Sequence, residues 1–167
     1  MLDPFCGCGT TVAVAERLDR EWIGIDIAHL AIGLMKHRLK DTFGDEVDYD
    51  VIGEPVAVTG AKALAESDPY QVQWWALGLV GARPVEQKKG ADKGTDGRLY
   101  FHDEARGDTK QVIISVKAGH TVVAHIRDLR GVLDREKAEI GVPITMHDPT
   151  RPMEREAASA GFYHSPG

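Results

Sequence analysis

The sequence predicts an α/β protein in two parts, and three observations predict it. "EWIGIDI" is a short apolar run ending at Asp26, flanked on both sides by stretches whose apolar residues recur at helical spacing. "KQVIISVKAG" is a continuous apolar run bounded by lysines, the pattern of a well-covered strand. "VVAHIRDLRGVLDREKAEIG" follows it, with Ile126, Leu129, Val132 and Leu133 on one helical face. Strands alternating with helices imply a sheet with parallel pairs, covered by helices.

Taken in order, Met1 to about Lys40 read as strand, turn, helix, strand, helix. The turn is Asp3–Gly9, and the helix after it carries Val12, Val14, Ala15 and Leu18. Leu30, Leu34, Met35 and Leu39 give the second helix its apolar stripe. From Asp41 to about Gly60 the chain is acidic and then punctuated by glycine and proline, as a joint would be. "SDPYQVQWWALGLVGA" starts a new helix, with Ser67 or Asp68 as cap, Pro69 in the first turn and Val72, Trp75, Ala76 and Leu79 on one face. Trp75 is expected in the core, and Trp74 in the core or at an interface. "ARPVEQKKGADKGTDGRLYF" holds turns and short strands; Gly141 is expected to stop the long helix; "VPITM" is a strand; Thr150 and Pro152 open a last helix that ends near Gly161. The expected division is 1–50, a linker over 51–66, and 67–167.

At 167 residues the chain suits one ordinary domain, or a small domain plus a fragment, and 43% apolar residues supply a core. A formal charge of −6 excludes a protein coated in basic surface but allows a local basic face. The start lacks the apolar run of a secretory signal, and no stretch is long enough to cross a bilayer, so a cytoplasmic, membrane-free protein is expected. Cys6 and Cys8 are too close for an ordinary disulfide and lack partners at metal-ligand spacing, which reads as two reduced thiols.

"LDPFCGCGTT" is a glycine turn leading into a helix. Two glycines let backbone approach a ligand, and a helix N-terminus offers N–H groups to an anion. Asp26, at the end of the next strand, stands where an acid can accept from ribose hydroxyls. A tight turn without any ligand fits the same residues. The whole string, Asp3-Pro4-Phe5, Gly7, Gly9, Thr10-Thr11 and then Gly24-Ile25-Asp26, resembles the S-adenosylmethionine motif of the DNA N4-cytosine/N6-adenine methyltransferases. That resemblance covers about the first 45 residues and implies a βαβα piece of a Rossmann-like fold. It implies cofactor-binding roles for Asp3, Phe5, Gly7, Gly9 and Asp26. The (Asp/Asn)-Pro-Pro-aromatic tetrapeptide of that family does not occur, so the segment resembles the tail of a methyltransferase whose front is missing or on another polypeptide. S-adenosylmethionine is then expected only if the missing half is supplied, and the rest of such an enzyme is an expected partner.

In the second half, Asp96 lies between turn glycines and leads into "RLYF", and Lys117 ends "VIISVK". Alternation sets Ile113, Ser115 and Lys117 on one face and Val112, Ile114 and Val116 on the other. If the two strands pair, Asp96 sits beside them. Metal-assisted phosphodiester hydrolysis needs a carboxylate for Mg²⁺ and a cation near the attacking water or scissile phosphate. A turn dipeptide at Asp96-Gly97 and a solvent lysine at the strand end fit as well. Gly-x-Asp-Gly, a strand, then a lysine closing an apolar strand resembles the PD-(D/E)xK nucleases, in particular the Mrr-like restriction endonucleases, from about Asp68 to Phe162.

The resemblance implies a restriction-endonuclease-like core, a mixed sheet flanked by helices. It implies Asp96 as metal ligand with help from the Val116 carbonyl, Lys117 as the residue that orients water or stabilises charge, and Mg²⁺ or Mn²⁺ as cofactor. Ser115 departs from the usual Glu or Gln, and Gln73 falls where Glu is frequent. Asp92 and Glu86 are candidate second acids. Arg83, Lys88, Lys89, Lys93 and Arg98 cluster around Asp96 as candidate phosphate contacts. The helix cations Arg127, Arg130, Arg135 and Lys137 are partly matched by Asp128, Asp134, Glu136 and Glu139, and His120 and His125 are uncommitted. The reading is a metal-dependent endonuclease of double-stranded DNA in a restriction-modification system. The alternatives are a non-catalytic DNA- or methyltransferase-binding module, and a fragment of an S-adenosylmethionine-dependent methyltransferase. A homodimer is left open, since many nucleases cut both strands as dimers.

Overall fold

The computed structural model describes residues 1–85, 94–103 and 107–165. They form two compact units, Met1–Gly78 and Leu79–Gly167.

The first unit contains β1 (Leu2–Asp3), α1 (Thr10–Arg17), β2 (Ile23–Gly24), α2 (His29–Phe43), α3 (Val58–Ser67) and most of α4 (Pro69–Leu79). β1 and β2 pair in parallel with Leu2 opposite Ile23 and Asp3 opposite Gly24. Cys6, Val12, Met35 and Leu39 form the core, with Trp22, Ile32 and Phe43 packed against it. Gly9 precedes α1 with φ +75°, and a Cβ there would run into the Met35 side chain. Only glycine fits both demands, because α2 rests directly on the loop.

In α1, Val12, Ala13 and Ala15 are buried while Val14 and Leu18 are exposed: the helix turns small residues to the core because α2 lies close. Two expectations change in this unit. α3 occupies most of the stretch read as a linker. α4 starts as expected, with Asp68 Oδ1 accepting from the Tyr70 N–H at 2.9 Å. Its buried set is Val72, Ala76 and Leu77, whereas Leu79 is exposed and Trp75 half-buried. A helix apolar on most sides leaves periodicity no single face to report.

The second unit is a four-stranded mixed sheet, β3 (Arg83–Pro84), β4 (Gly97–Phe101), β5 (Lys110–Lys117) and β6 (Ile140–Thr145), in that spatial order. β3–β4 and β4–β5 are antiparallel, and β5–β6 is parallel across the helix α5 (Val123–Glu136). α5 covers one face, where Ile113 packs with Leu129 and Val132. Pro143 lies on β6, the edge strand, where a missing N–H is tolerated. The last helix, α6 (Arg151–Ser159), buries Met153.

Gly141 does not stop α5. The helix ends at Glu136 with Lys137 in the left-handed region, and Gly141 is already on β6. A Cβ there would lie 2.9 Å from Leu133 Cδ1 and 3.3 Å from Leu129, so the glycine makes room for α5 on the sheet.

Candidate functional site

The glycine loop of the first unit is held by its own carboxylates. Asp26 Oδ2 accepts from the Gly7 N–H and Oδ1 from the Ala28 N–H, each at 2.9 Å, while Asp3 Oδ1 accepts from Phe5 N–H at 3.2 Å. Cys6 N–H reaches the Ile25 carbonyl at 3.0 Å, which seats the loop on β2. The loop thus brings Asp3, Gly7, Gly9 and Asp26 together, and Phe5 is exposed. Burial pushes the Cys6 thiol pKa up, with Asp26 and Asp3 adding to it. Arg38 donates to Thr10 Oγ1 at 3.0 Å and toward Cys8 Sγ at 3.5 Å. As placed, the Gly7 amide is turned on Asp26, and each Asp26 oxygen accepts one N–H and keeps a lone pair able to accept a ribose hydroxyl.

The second candidate centre lies where β4 meets β5. Asp96 donates its N–H to the Ile114 carbonyl at 2.9 Å, and its carbonyl accepts from Val85 at 3.1 Å. Those bonds place its side chain over the far end of β5. Oδ2 accepts from the Val116 N–H at 2.7 Å and from Ser115 Oγ at 3.3 Å. Ser115 is 5% exposed. Lys117 closes β5 opposite Thr145. The fold therefore joins Asp96, Ser115 and Val116, and Asp96 meets Val116 through its N–H.

Mg²⁺ prefers an octahedral shell of oxygens with carboxylates in it. Among the described residues the set offers one carboxylate, one of whose oxygens accepts from both Val116 and Ser115, plus a buried hydroxyl, fewer protein oxygens than such a shell takes. Among the described residues, no group of three or more His, Cys, Asp and Glu gathers where it could hold a metal. Glu86, Lys88, Lys89, Asp92 and Lys93 lie outside the described residues. Gln73 is on α4, in the first unit.

The charges near this centre are used differently from the sequence expectation. Arg98 does not stand ready for phosphate: it donates to Gln111 Oε1 at 2.7 Å and Glu136 Oε2 at 2.6 Å. Arg135 pairs with the other Glu136 oxygen at 3.1 Å, and the two guanidiniums, Arg98 first, hold the Glu136 carboxyl below its ordinary range. Arg127 pairs with Glu156 at 3.1 Å, whereas Arg130 and His120 are exposed. His125 Nδ1 accepts from Val122 N–H at 3.2 Å at the start of α5.

One cluster has no signal in the sequence. Asp103 Oδ2 takes Lys110 Nζ at 2.6 Å and the Tyr163 hydroxyl, and Lys110 also donates to that hydroxyl at 2.7 Å. Phe101 meets the Tyr163 ring edge-on at 5.6 Å. Hydrogen bonds from Lys110 and then Tyr163 lower the Asp103 pKa, and the Asp103 bond raises that of Lys110. The cluster ties the segment after α6 to the β4–β5 hairpin.

Residues 70–164, more than half of the chain, match the family model described as NACHT-associated inactive Restriction Endonuclease 1. The chain belongs to that family. The NACHT-associated domain is accompanied by a match of residues 1–36 to the family of DNA methylases. A curated relative agrees: the type II methyltransferase M.BamHI of Bacillus amyloliquefaciens is 48% identical over 46 residues, which are 28% of this chain and 10% of that protein. The chain spans about a tenth of the relative it matches. No solved structure gives a significant match. The chain thus carries two restriction-modification-related segments, a methyltransferase fragment and a restriction-endonuclease-like domain. Among the described residues no helix is long and apolar enough to cross a membrane.

Proposed function

We propose that the restriction-endonuclease-like domain recognises double-stranded DNA without hydrolysing it, as a binding module of a restriction-modification system. The observation that carries this reading is the Asp96 carboxylate, whose Oδ2 accepts from the Val116 N–H at 2.7 Å and from Ser115 Oγ at 3.3 Å. A carboxylate so held stabilises the strand pair, and the position that would supply a second carboxylate is a hydroxyl. Lys117, Arg130 and His120 would meet the phosphates, which takes affinity without chemistry. The family's description as inactive supports the same reading. A cytoplasmic setting and a homodimer belong to this proposal.

The test is incubation of the protein with methylated and unmethylated plasmid, with Mg²⁺ or Mn²⁺, beside fluorescence anisotropy on a labelled duplex. Expected are intact plasmid and salt-sensitive binding that is unchanged by the metal and survives Asp96→Ala. A second reading, metal-dependent cleavage through Asp96, Ser115 and Lys117, rests on the placement of all three on β5 and the entry to β4. Metal-dependent nicking that Lys117→Ala abolishes would establish it and remove the binding-only reading.

Methyl transfer is proposed only for a chain completed by the rest of a methyltransferase. S-adenosylmethionine titrated into this chain alone should give no heat, because the likeness to the DNA methylases covers residues 1–36 alone.

A further inference from the structure

A groove runs along the outer edge of β2. Ile23 and Ile25 give their N–H groups to the carbonyls of Met1 and Asp3 at 2.8 and 2.9 Å. Alternation then turns the N–H and C=O of Gly24 to the opposite edge. β1 is the one strand partner of β2 among the described residues. Beyond the open edge lies a cavity of about 980 Å³, lined by Gly24 from the strand and Trp22 and Ile25 beside it, Leu39 from α2, and Tyr49 and Val51 from the segment that follows α2.

That segment, "VDYDVI" from Val47 to Ile52, has the alternation of a strand: Val47, Tyr49 and Val51 fall on one side, Asp48 and Asp50 on the other. It is not part of a sheet here, and Tyr49 and Val51 are 36% and 39% exposed. Ile23 and Ile25 across the groove are 61% and 49% exposed. The Tyr49 ring already stands 6.1 Å from that of Trp22. Chain connection favours the same partner: β2, α2 and then this segment form a strand, a helical crossover of more than a dozen residues, and a second extended run. Such crossovers return a strand parallel to the first.

We propose that Val47–Ile52 is a strap that closes onto β2 as a third, parallel strand, pairing with the Gly24 N–H and C=O. The conformation described above is the open state of that closure. Closing fills the cavity with the strap's own side chains, covers Ile23 and Ile25, and denies the edge to an extended peptide from another chain, which would need the same backbone groups. The inference concerns the first unit and stands whether or not the second unit binds DNA.

Amide hydrogen exchange followed residue by residue by NMR on the full chain tests it. The Gly24 amide should exchange at least about tenfold more slowly than an open amide, at a rate independent of protein concentration. Tyr49→Pro, which removes a pairing N–H from the strap, should abolish that protection and leave Ile23 and Ile25 protected. Val51→Ser, which keeps the backbone and weakens the docked face, should lower it partway even if the proline variant disturbs the fold. An unprotected Gly24 in the parent protein overturns the proposal, as does protection that both variants leave intact. Protection that grows with protein concentration assigns the edge to a second copy and overturns it too.

Discussion

Asp96 Oδ2 and the Val116 N–H are joined at 2.7 Å, so the acid at the head of β4 holds the strand that ends in Lys117. A charge-assisted hydrogen bond of this kind contributes about 2 kcal/mol. Asp96→Ala should lower stability by about that amount in urea denaturation, with binding of DNA retained by the folded fraction. Asp96→Asn keeps an acceptor oxygen and should lose less.

Phosphate contacts are separable from structural cations by salt. Lys117→Ala and Arg130→Ala should each weaken duplex binding evenly across sequences and reduce the slope of log K against log salt by about 1. Arg98→Ala should leave that slope unchanged, since its guanidinium is held by Gln111 and Glu136, and should appear instead as a lower melting temperature.

Acid should loosen the α5 end of the sheet. The Glu136 carboxyl is held below its ordinary range, chiefly by Arg98. A depressed folded pKa contributes stability that is present above the unfolded value, about 4.3, and is lost as pH falls through the folded one. The urea midpoint should therefore drop below about pH 4, and Arg98→Gln should flatten that drop.

Gly141→Ala should cost about 1–3 kcal/mol, because its methyl would meet Leu133 and Leu129 under α5. Adding Leu133→Ala to it should recover part of the clash, a coupling that a double-mutant cycle in urea would read as non-additive.

Gly9→Ala should be worse, at about 2–4 kcal/mol, since it combines a left-handed backbone with collision on Met35. Gly7, also at positive φ but with open space around its Cβ position, should tolerate alanine better; the two melting temperatures compare them directly.

Local patterns carried far in this chain. The apolar run over Lys110–Lys117 marked β5, the glycines before "RLYF" put Asp96 at its side, and the apolar stripe of α5 identified Ile126, Leu129 and Val132 as inward. The glycine loop and Asp26 were legible for the same reason: each is defined by near neighbours. Where periodicity was ambiguous it misplaced a residue, as with Leu79, because which flank of an apolar helix is covered depends on what packs there.

By itself the sequence determined the alternation of strands and helices, the place of Asp96 at the entry to β4 and the loop at Gly7–Gly9, since these follow from backbone preference and side-chain spacing within a few residues. Tertiary structure alone decided which charged groups are still available. Arg98 meets Glu136 across 38 positions and Lys110 meets Tyr163 across 53, and no local pattern encodes such pairs. It also decided that Gly141 is a spacer under α5 rather than a helix stop, and that the Asp96 carboxylate is held by a backbone N–H. The physical reason is common to all four: a side chain's role is set by the groups brought within about 3 Å of it, and those come from strands and helices distant in sequence.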